Sequence, residues 1–224
     1  CPSMRFDAGH GMRDIALARL TGAKVHFQHM STAGSVAMIA AAKAGGMAVT
    51  AEAAPHHFTL TDASCAGYDA TFKVHPPLRT DADVAAIASG LASGVLDAIA
   101  TDHAPHTPED KERPFDHAPP GMLGLEYALA LAFTQLVDGD SGMSEADVLG
   151  AMSWRPARIA GLDHHGGPIV QGAPANLCVI DPAARWTIDD SGGASRSRNV
   201  PYVGRQVRGR VRHTFLFGEQ VVID

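Results

Sequence analysis

The stretch that most constrains this chain is Ala100-Thr101-Asp102-His103-Ala104-Pro105-His106, which closes an apolar run. Val95, Leu96, Ile99 and the alanines beside them, bounded by Gly94 and Pro105, are too few for a helix and read as a short buried strand over residues 95–101. A carboxylate and two imidazoles where such a strand ends sit where α/β barrels keep their chemistry. There Asp102 can ligate a metal, act as a general base, or both. An Asp-His pair alone is a weak signal, and a turn-capping Asp followed by surface histidines is the plainer alternative.

The rest of the chain supplies the context. Residues 24–30 alternate like a strand, Ser31-Thr32 can cap a helix over 33–44, and Gly45-Gly46 ends it. Residues 47–53 form a second strand, ended by Pro55-His56-His57. Thr80-Asp81 opens a helix with Val84, Ile87, Ala88 and Leu91 at helical spacing, stopped at Gly94. Residues 14–20 resemble the end of a helix closed by Gly22. Strand–helix alternation of this kind argues parallel βα units. Residues 102–121 form a long polar loop, followed by an apolar helix over 123–137, another over 144–152 with Ser144 and Asp147 as a capping pair, and a short one around Pro156 ending at Gly161. After residue 163 the texture changes: Gly166-Gly167-Pro168, Gly172-Ala173-Pro174 and Asp181-Pro182 punctuate short apolar runs, including Ile169-Val170, in the manner of β-hairpins. The expected division is a partial barrel over 1–163 and an all-β portion over 164–224.

Composition narrows the function classes. The chain of 224 residues carries a net charge of −6, with no basic block for nucleic acid; the arginines between Arg196 and Arg212 are interleaved with Val, Gly and Tyr. No long apolar span suggests a membrane. Cys1, Cys65 and Cys178 are too scattered for a disulfide framework or a Cys-rich zinc site, so a reducing cytoplasm is expected.

Three strand ends carry histidine or carboxylate: His29, His56-His57 and Asp102. Imidazole and carboxylate on neighbouring strand ends are the usual ligands of a hydrolytic zinc. The odd spacing puts His26 and His29 on opposite strand faces, and His29 has the better claim to the loop end.

Taken together, the motifs resemble class I dihydroorotase of the amidohydrolase superfamily. The resemblance is carried by His29-Met30-Ser31-Thr32, by Val49-Thr50-Ala51-Glu52 with Pro55-His56-His57, and by Phe72-Lys73-Val74-His75-Pro76-Pro77-Leu78-Arg79. It continues through the residue 100–106 segment, Pro119-Pro120-Gly121-Met122-Leu123-Gly124-Leu125-Glu126, Ala175-Asn176-Leu177 and Asn199-Val200-Pro201-Tyr202, in order from about residue 14 to the end. It implies the later βα units of a metal-dependent (β/α)8 barrel of the TIM type, followed by the C-terminal part of a small β-sandwich. The implied activity is reversible hydrolysis of the cyclic amide of dihydroorotate to N-carbamoyl-aspartate. The implied cofactor is a binuclear zinc centre, with His29 as a ligand and Asp102 against the metal as the proton-transfer group. His106 is implied to contact the substrate carboxylate, and Pro120 and Gly121 to present backbone to the ring. His56 and His57 are not ligands in the family and stand behind the site. His75 occupies a substrate-binding position where the family has Asn. Asn gives an amide edge a donor and an acceptor on a small frame, whereas neutral His gives one of each on a larger ring.

The family's remaining metal ligands, and the Arg that holds the substrate carboxylate, have no counterpart in this sequence. With Cys1 rather than Met at the start, the expectation is a piece of a longer protein, with too few ligands to bind a binuclear centre or to catalyse alone. The implied partner is a small-molecule substrate, with a homo-oligomer or association with aspartate carbamoyltransferase left open. Two other functions remain to be weighed. One is another cyclic amidase of the allantoinase or hydantoinase type, against which His106 argues. The other is a catalytically silent subunit that scaffolds aspartate carbamoyltransferase. The loop at residues 105–122 is expected to be mobile without substrate, with Gly121 and Gly124 as hinges.

Overall fold

Three short parallel strands set the frame: β1 (Val25–Phe27), β2 (Val49–Ala53) and β3 (Ala98–Ile99), hydrogen-bonded in that order. The computed structural model describes residues 4–162, 165–189 and 193–223, so Cys1 and the expected boundary at residue 163 lie outside the described residues. Helix α1 (Met4–Thr21) precedes β1, α2 (Ala33–Ala44) connects β1 to β2, and α3 (Asp81–Ala92) connects β2 to β3. The parallel register pairs Val25 with Val49 and Phe27 with Ala51, then Glu52 with Ala98 and Ala53 with Ile99.

Local chemistry accounts for these elements. Thr32 caps α2 by accepting from the Ser35 N–H, and Thr80 caps α3 by accepting from the Asp83 N–H. Along β2, Val49, Ala51 and Ala53 are buried with the core residues Ile39, Ala42, Ile87 and Leu91 of α2 and α3. Thr50 and Glu52, on the other face, hold the His26 ring: Nδ1 lies 2.8 Å from Thr50 Oγ1 and Nε2 2.9 Å from Glu52 Oε2.

The third strand is shorter than its apolar run suggests. Asp97 takes over part of the ladder with its side chain: the Ala51 N–H donates to Asp97 Oδ2 at 2.8 Å, while the Asp97 N–H donates to Ala51 O at 2.7 Å. Lys43 Nζ reaches the same carboxylate at 2.7 and 2.8 Å. Regular pairing therefore begins only at Ala98.

Helix α4 (Pro108–Lys111) is a single capped turn within the long polar loop. The helix expected over 123–137 is also shorter. It forms as α5 (Ala128–Ala132) and runs on as a π turn over Phe133–Val137, where the Asp138 N–H reaches Phe133 O at 3.1 Å. Residues 123–125 are drawn away instead: Leu123 N–H donates to Asn199 O, and the N–H groups of Gly124 and Leu125 donate to His103 Nδ1. Helices α6 (Glu145–Met152), with its Ser144–Asp147 capping box, and α7 (Trp154–Ala160), ended by left-handed Gly161, follow as their sequences indicate.

An antiparallel sheet of β4 (Leu177–Thr187), β5 (Gln206–Leu216) and β6 (Glu219–Ile223) completes the fold. Asp181-Pro182 does not interrupt β4. The register slips there, from Asp181 opposite Arg210 to Arg185 opposite Arg208, and Asp181 Oδ1 accepts from the N–H groups of Ala183 and Ala184. A bulge of this kind accommodates a proline that a regular ladder would reject. Ile169 and Val170 belong to no strand and are exposed.

Two apolar clusters meet across α5. Phe133 and Leu136 join the cluster behind the parallel strands, while Tyr127, Ala130 and Leu131 join one with Met122, Ile188, Tyr202 and Val207. Arg208 fastens β5 to this junction through Asp138 at 2.7 Å, Glu145 at 2.9 Å and the Pro182 carbonyl at 2.7 Å. Among the described residues no helix is long and apolar enough to cross a membrane.

Asp97→Ala leaves an unpaired Ala51 N–H and a stranded Lys43, and should destabilise the full-length protein by about 2–3 kcal/mol in urea titrations. Asp97→Asn, which keeps an acceptor for Ala51, should cost about 1 kcal/mol.

Candidate active site

Adjacent parallel strands end at a common edge, so the residues that leave them are gathered there. His29 follows β1, His56 follows β2 and Asp102 follows β3. His29 and Asp102 both take a left-handed backbone, with φ of 40° and 47°. For residues with a Cβ this conformation costs of order ~1 kcal/mol or more, and it turns each sharply out of its strand. It is upheld by neighbours on either side: Met30 N–H donates to Glu52 O at 2.8 Å, and Ala100 N–H to Ala53 O at 3.1 Å.

The three strand ends sense one another. Burial pushes the Asp102 carboxyl up, and Glu52 adds to the rise, while the imidazoles of His29 and His75 pull it back. His56 is fully buried, and burial, then His57 and His29, hold its imidazole well below its usual range. Its Nε2 stands 3.7 Å from Asp102 Oδ2, beyond hydrogen-bond reach, and neither ring nitrogen has a hydrogen-bond partner. His29 Nδ1 is buried and likewise without one. His57 serves a different end: its Nε2 donates to Pro76 O at 3.0 Å and fixes the segment that carries exposed His75. Arg79, buried, reaches from the same segment to Ser31 Oγ at 3.2 Å.

The other sequence candidates form a second group on the loop. His106 Nε2 lies 3.0 Å from the Pro120 carbonyl, so that nitrogen carries the hydrogen. The Gly121 N–H is engaged by Lys73 O at 2.8 Å. Gly121 itself is required by space and conformation: its φ is 139°, and a Cβ would stand 2.6 Å from Ala104 Cβ and 2.7 Å from His106 Nε2. His103 is taken up in structure, its Nδ1 accepting from two backbone amides.

Two lysines that sequence reasoning did not single out pin this loop. Lys111 Nζ donates to Ala70 O at 2.9 Å and Pro119 O at 3.0 Å, and Lys73 Nζ to Phe115 O at 2.7 Å and Asp116 O at 3.1 Å. Beside them a cavity of about 260 Å³ is lined by Thr71, His106, Lys111, Arg198 and Asn199, and by neither His29 nor Asp102. Nothing in the sequence signalled their anchoring role, although Lys73 stands within a motif, because their partners are backbone carbonyls, which any residue supplies.

Among the described residues no three His, Cys, Asp or Glu side chains converge closely enough to hold a metal. A buried imidazole nitrogen on His29 without a partner, and the nearby Asp102 carboxylate, are donors suited to a divalent metal. They are fewer than the three protein ligands of a catalytic zinc, so they fit as part of a set.

Comparison with known proteins bears on both groups. The model of the amidohydrolase family matches residues 8–221. The dihydroorotase of Streptomyces coelicolor is 47% identical over 213 residues, covering 95% of this chain and 49% of its own length. That of Pelotomaculum thermopropionicum is 48% identical over 212 residues, with the same coverage. Among solved structures, the L-hydantoinase (dihydropyrimidinase) of Arthrobacter aurescens superposes with a TM-score of 0.89 at 26% identity, over 96% of this chain and 48% of its own. The chain thus spans about half the length of the curated relatives it matches. The likeness covers both parts of the fold: the parallel strands and their helices are βα units of a (β/α)8 barrel, and the antiparallel sheet is part of the small β-sandwich beside it.

The loop anchor has a pH signature. Burial, reinforced by Lys73 and opposed by Asp69, pushes Lys111 down from 10.5 to about 8. Between those values the unfolded chain holds a proton that the folded one has released, so stability should rise with pH across that window. Denaturation curves taken from pH 8 upward should show this slope in the wild type and not in Lys111→Met.

Proposed function

The chain belongs to the amidohydrolase family, and from that premise we propose that it supplies the later barrel strands and the substrate loops of a dihydroorotase. The reaction is reversible hydrolysis of the cyclic amide of dihydroorotate to N-carbamoyl-aspartate, in the cytoplasm, as a step of pyrimidine biosynthesis. The observation that carries this reading is a difference in likeness. Dihydroorotases share far more of the sequence than the hydantoinases do, although the hydantoinase backbone superposes over nearly the whole chain. The proposed division is a barrel part over 1–163 and a sandwich portion over 164–224.

In this reading His29 and Asp102 are donors to a zinc centre whose other ligands come from outside this sequence. Bound zinc would activate water at neutral pH and polarise the amide carbonyl. Asp102 takes the proton of the attacking water on its carboxylate and delivers it to the leaving amide nitrogen. His106 meets the substrate carboxylate. Because its Nε2 hydrogen is committed to Pro120, the ring offers Nδ1–H as an imidazolium, or else releases Pro120. The Pro120 carbonyl keeps a second lone pair for a ring N–H, whereas the Gly121 N–H is already taken, so backbone recognition here is by acceptors. His75, where the family has Asn, adds an imidazole within electrostatic range of Asp102.

The test is turnover by the metal-loaded full-length protein with dihydroorotate, hydantoin and allantoin. Dihydroorotate should be preferred, and Asp102→Asn should lower its turnover by about 10²–10⁴-fold while the protein stays folded. Preference for hydantoin would move the chain to the other cyclic amidases. No turnover of any of them, with co-purifying aspartate carbamoyltransferase, would make it a scaffolding subunit.

A further inference from the structure

Asn199 lies in the segment between β4 and β5, far in sequence from the strand ends, yet its amide sits between the two stretches that carry His106 and Pro120-Gly121. It is 5% exposed. Its Oδ1 accepts from the His106 N–H at 3.2 Å, and its Nδ2 donates to Ala104 O at 3.0 Å and to Gly121 O at 3.2 Å. Its main-chain oxygen accepts from the Leu123 N–H at 3.1 Å. The amide orientation is fixed by these partners, since the two carbonyls need donors and the amide N–H needs an acceptor. Val200 and Tyr202, just beyond, are buried in the cluster that holds Val74, Met122 and Leu123, so the clamp stands on a packed base. Ala104 N–H donates directly to Met122 O at 3.0 Å, and the Gly121 backbone has no room for a side chain.

We propose that Asn199 is a positioning residue for substrate recognition. By holding residues 104–106 and 121–123 on one amide, it sets the distance between the His106 ring and the Pro120-Gly121 backbone. A cyclic substrate that presents a carboxylate to one and an amide edge to the other is thereby measured by a residue that touches neither end of it. This rests on the dihydroorotase reading and goes beyond it by naming what fixes the spacing of the two contacts.

Two variants test it in the metal-loaded full-length enzyme. Asn199→Ala removes the clamp. Asn199→Asp keeps its shape and puts a charged acceptor against the carbonyls of Ala104 and Gly121. Both should raise KM for dihydroorotate about 10- to 100-fold while kcat stays within about threefold, because the loss is of substrate placement and not of proton transfer. A role in packing alone would spare the isosteric Asp, or would lower the melting temperature with KM unchanged, and either result overturns the proposal. If both variants fail to fold, wild-type amide exchange decides. The His106 and Leu123 N–H groups, both bonded to Asn199, should be protected to the same degree, and a His106 amide that exchanges much faster than Leu123 overturns it. The exchange experiment needs no substrate, so it separates failure of the clamp from failure of the dihydroorotase reading. Should the wild type turn over another cyclic amide instead, the same comparison of KM and kcat applies to that substrate.

Discussion

The Asp97 carboxylate is the contact on which the arrangement of strand ends depends. It binds the Ala51 amide of the neighbouring strand and the Lys43 ammonium of the preceding helix, so a single side chain fixes β3 against both β2 and α2. Parallel strands have no tight hairpin to set their register, and here a charged hydrogen bond does so. The chain leaves β3 three residues before Asp102. A slip at Asp97 would therefore displace the carboxylate relative to His29 and His56, and the left-handed turn at Asp102 would lose its support.

Much of this was legible in the sequence, for identifiable reasons. Helices α2 and α3 announce themselves by Thr32 and Thr80, whose side chains cap them, and by apolar spacing that matches their buried faces. Asp102 and His29 stand out because each comes two or three residues after a run that pairs as a strand. Where the reading failed, a long-range contact outweighed a local preference. Residues 123–127 have helical composition, but Gly124 lies against the Thr101 carbonyl, where a Cβ would stand only 2.5 Å from the oxygen, and the amides of residues 123–125 go to His103 and Asn199. Asp181-Pro182 has the composition of a turn, yet β5 extends past it and the extra residues are absorbed as a bulge.

The site divides along the same line. Residues whose chemistry resides in the side chain could be singled out in the sequence, because an imidazole or carboxylate at the end of a strand is informative by its placement. The holding roles of residues that act on backbone were not legible there: Lys73 and Lys111 on loop carbonyls, and Asn199 on two stretches of loop at once. Asn199 was visible in a motif, but as part of the β-rich portion, and nothing in its neighbourhood along the chain points to the barrel loops.

The distance in sequence between the Asn199 amide and the loops it closes has a consequence for biosynthesis. His106 and Gly121 leave the ribosome well before residue 199, and domains begin to fold as they emerge. The strands and helices that aim Asp102 can pack during that interval, because their contacts are local or already translated. The Asn199 clamp on the stretches at 104–106 and 121–123 cannot form until the segment between β4 and β5 has appeared and the Val200 and Tyr202 side chains have docked. The nascent protein therefore passes through a stage in which the barrel edge is built and its rim is held only by the lysines and the Ala104–Met122 bond, and a chain released before residue 199 would lack the amide that completes it.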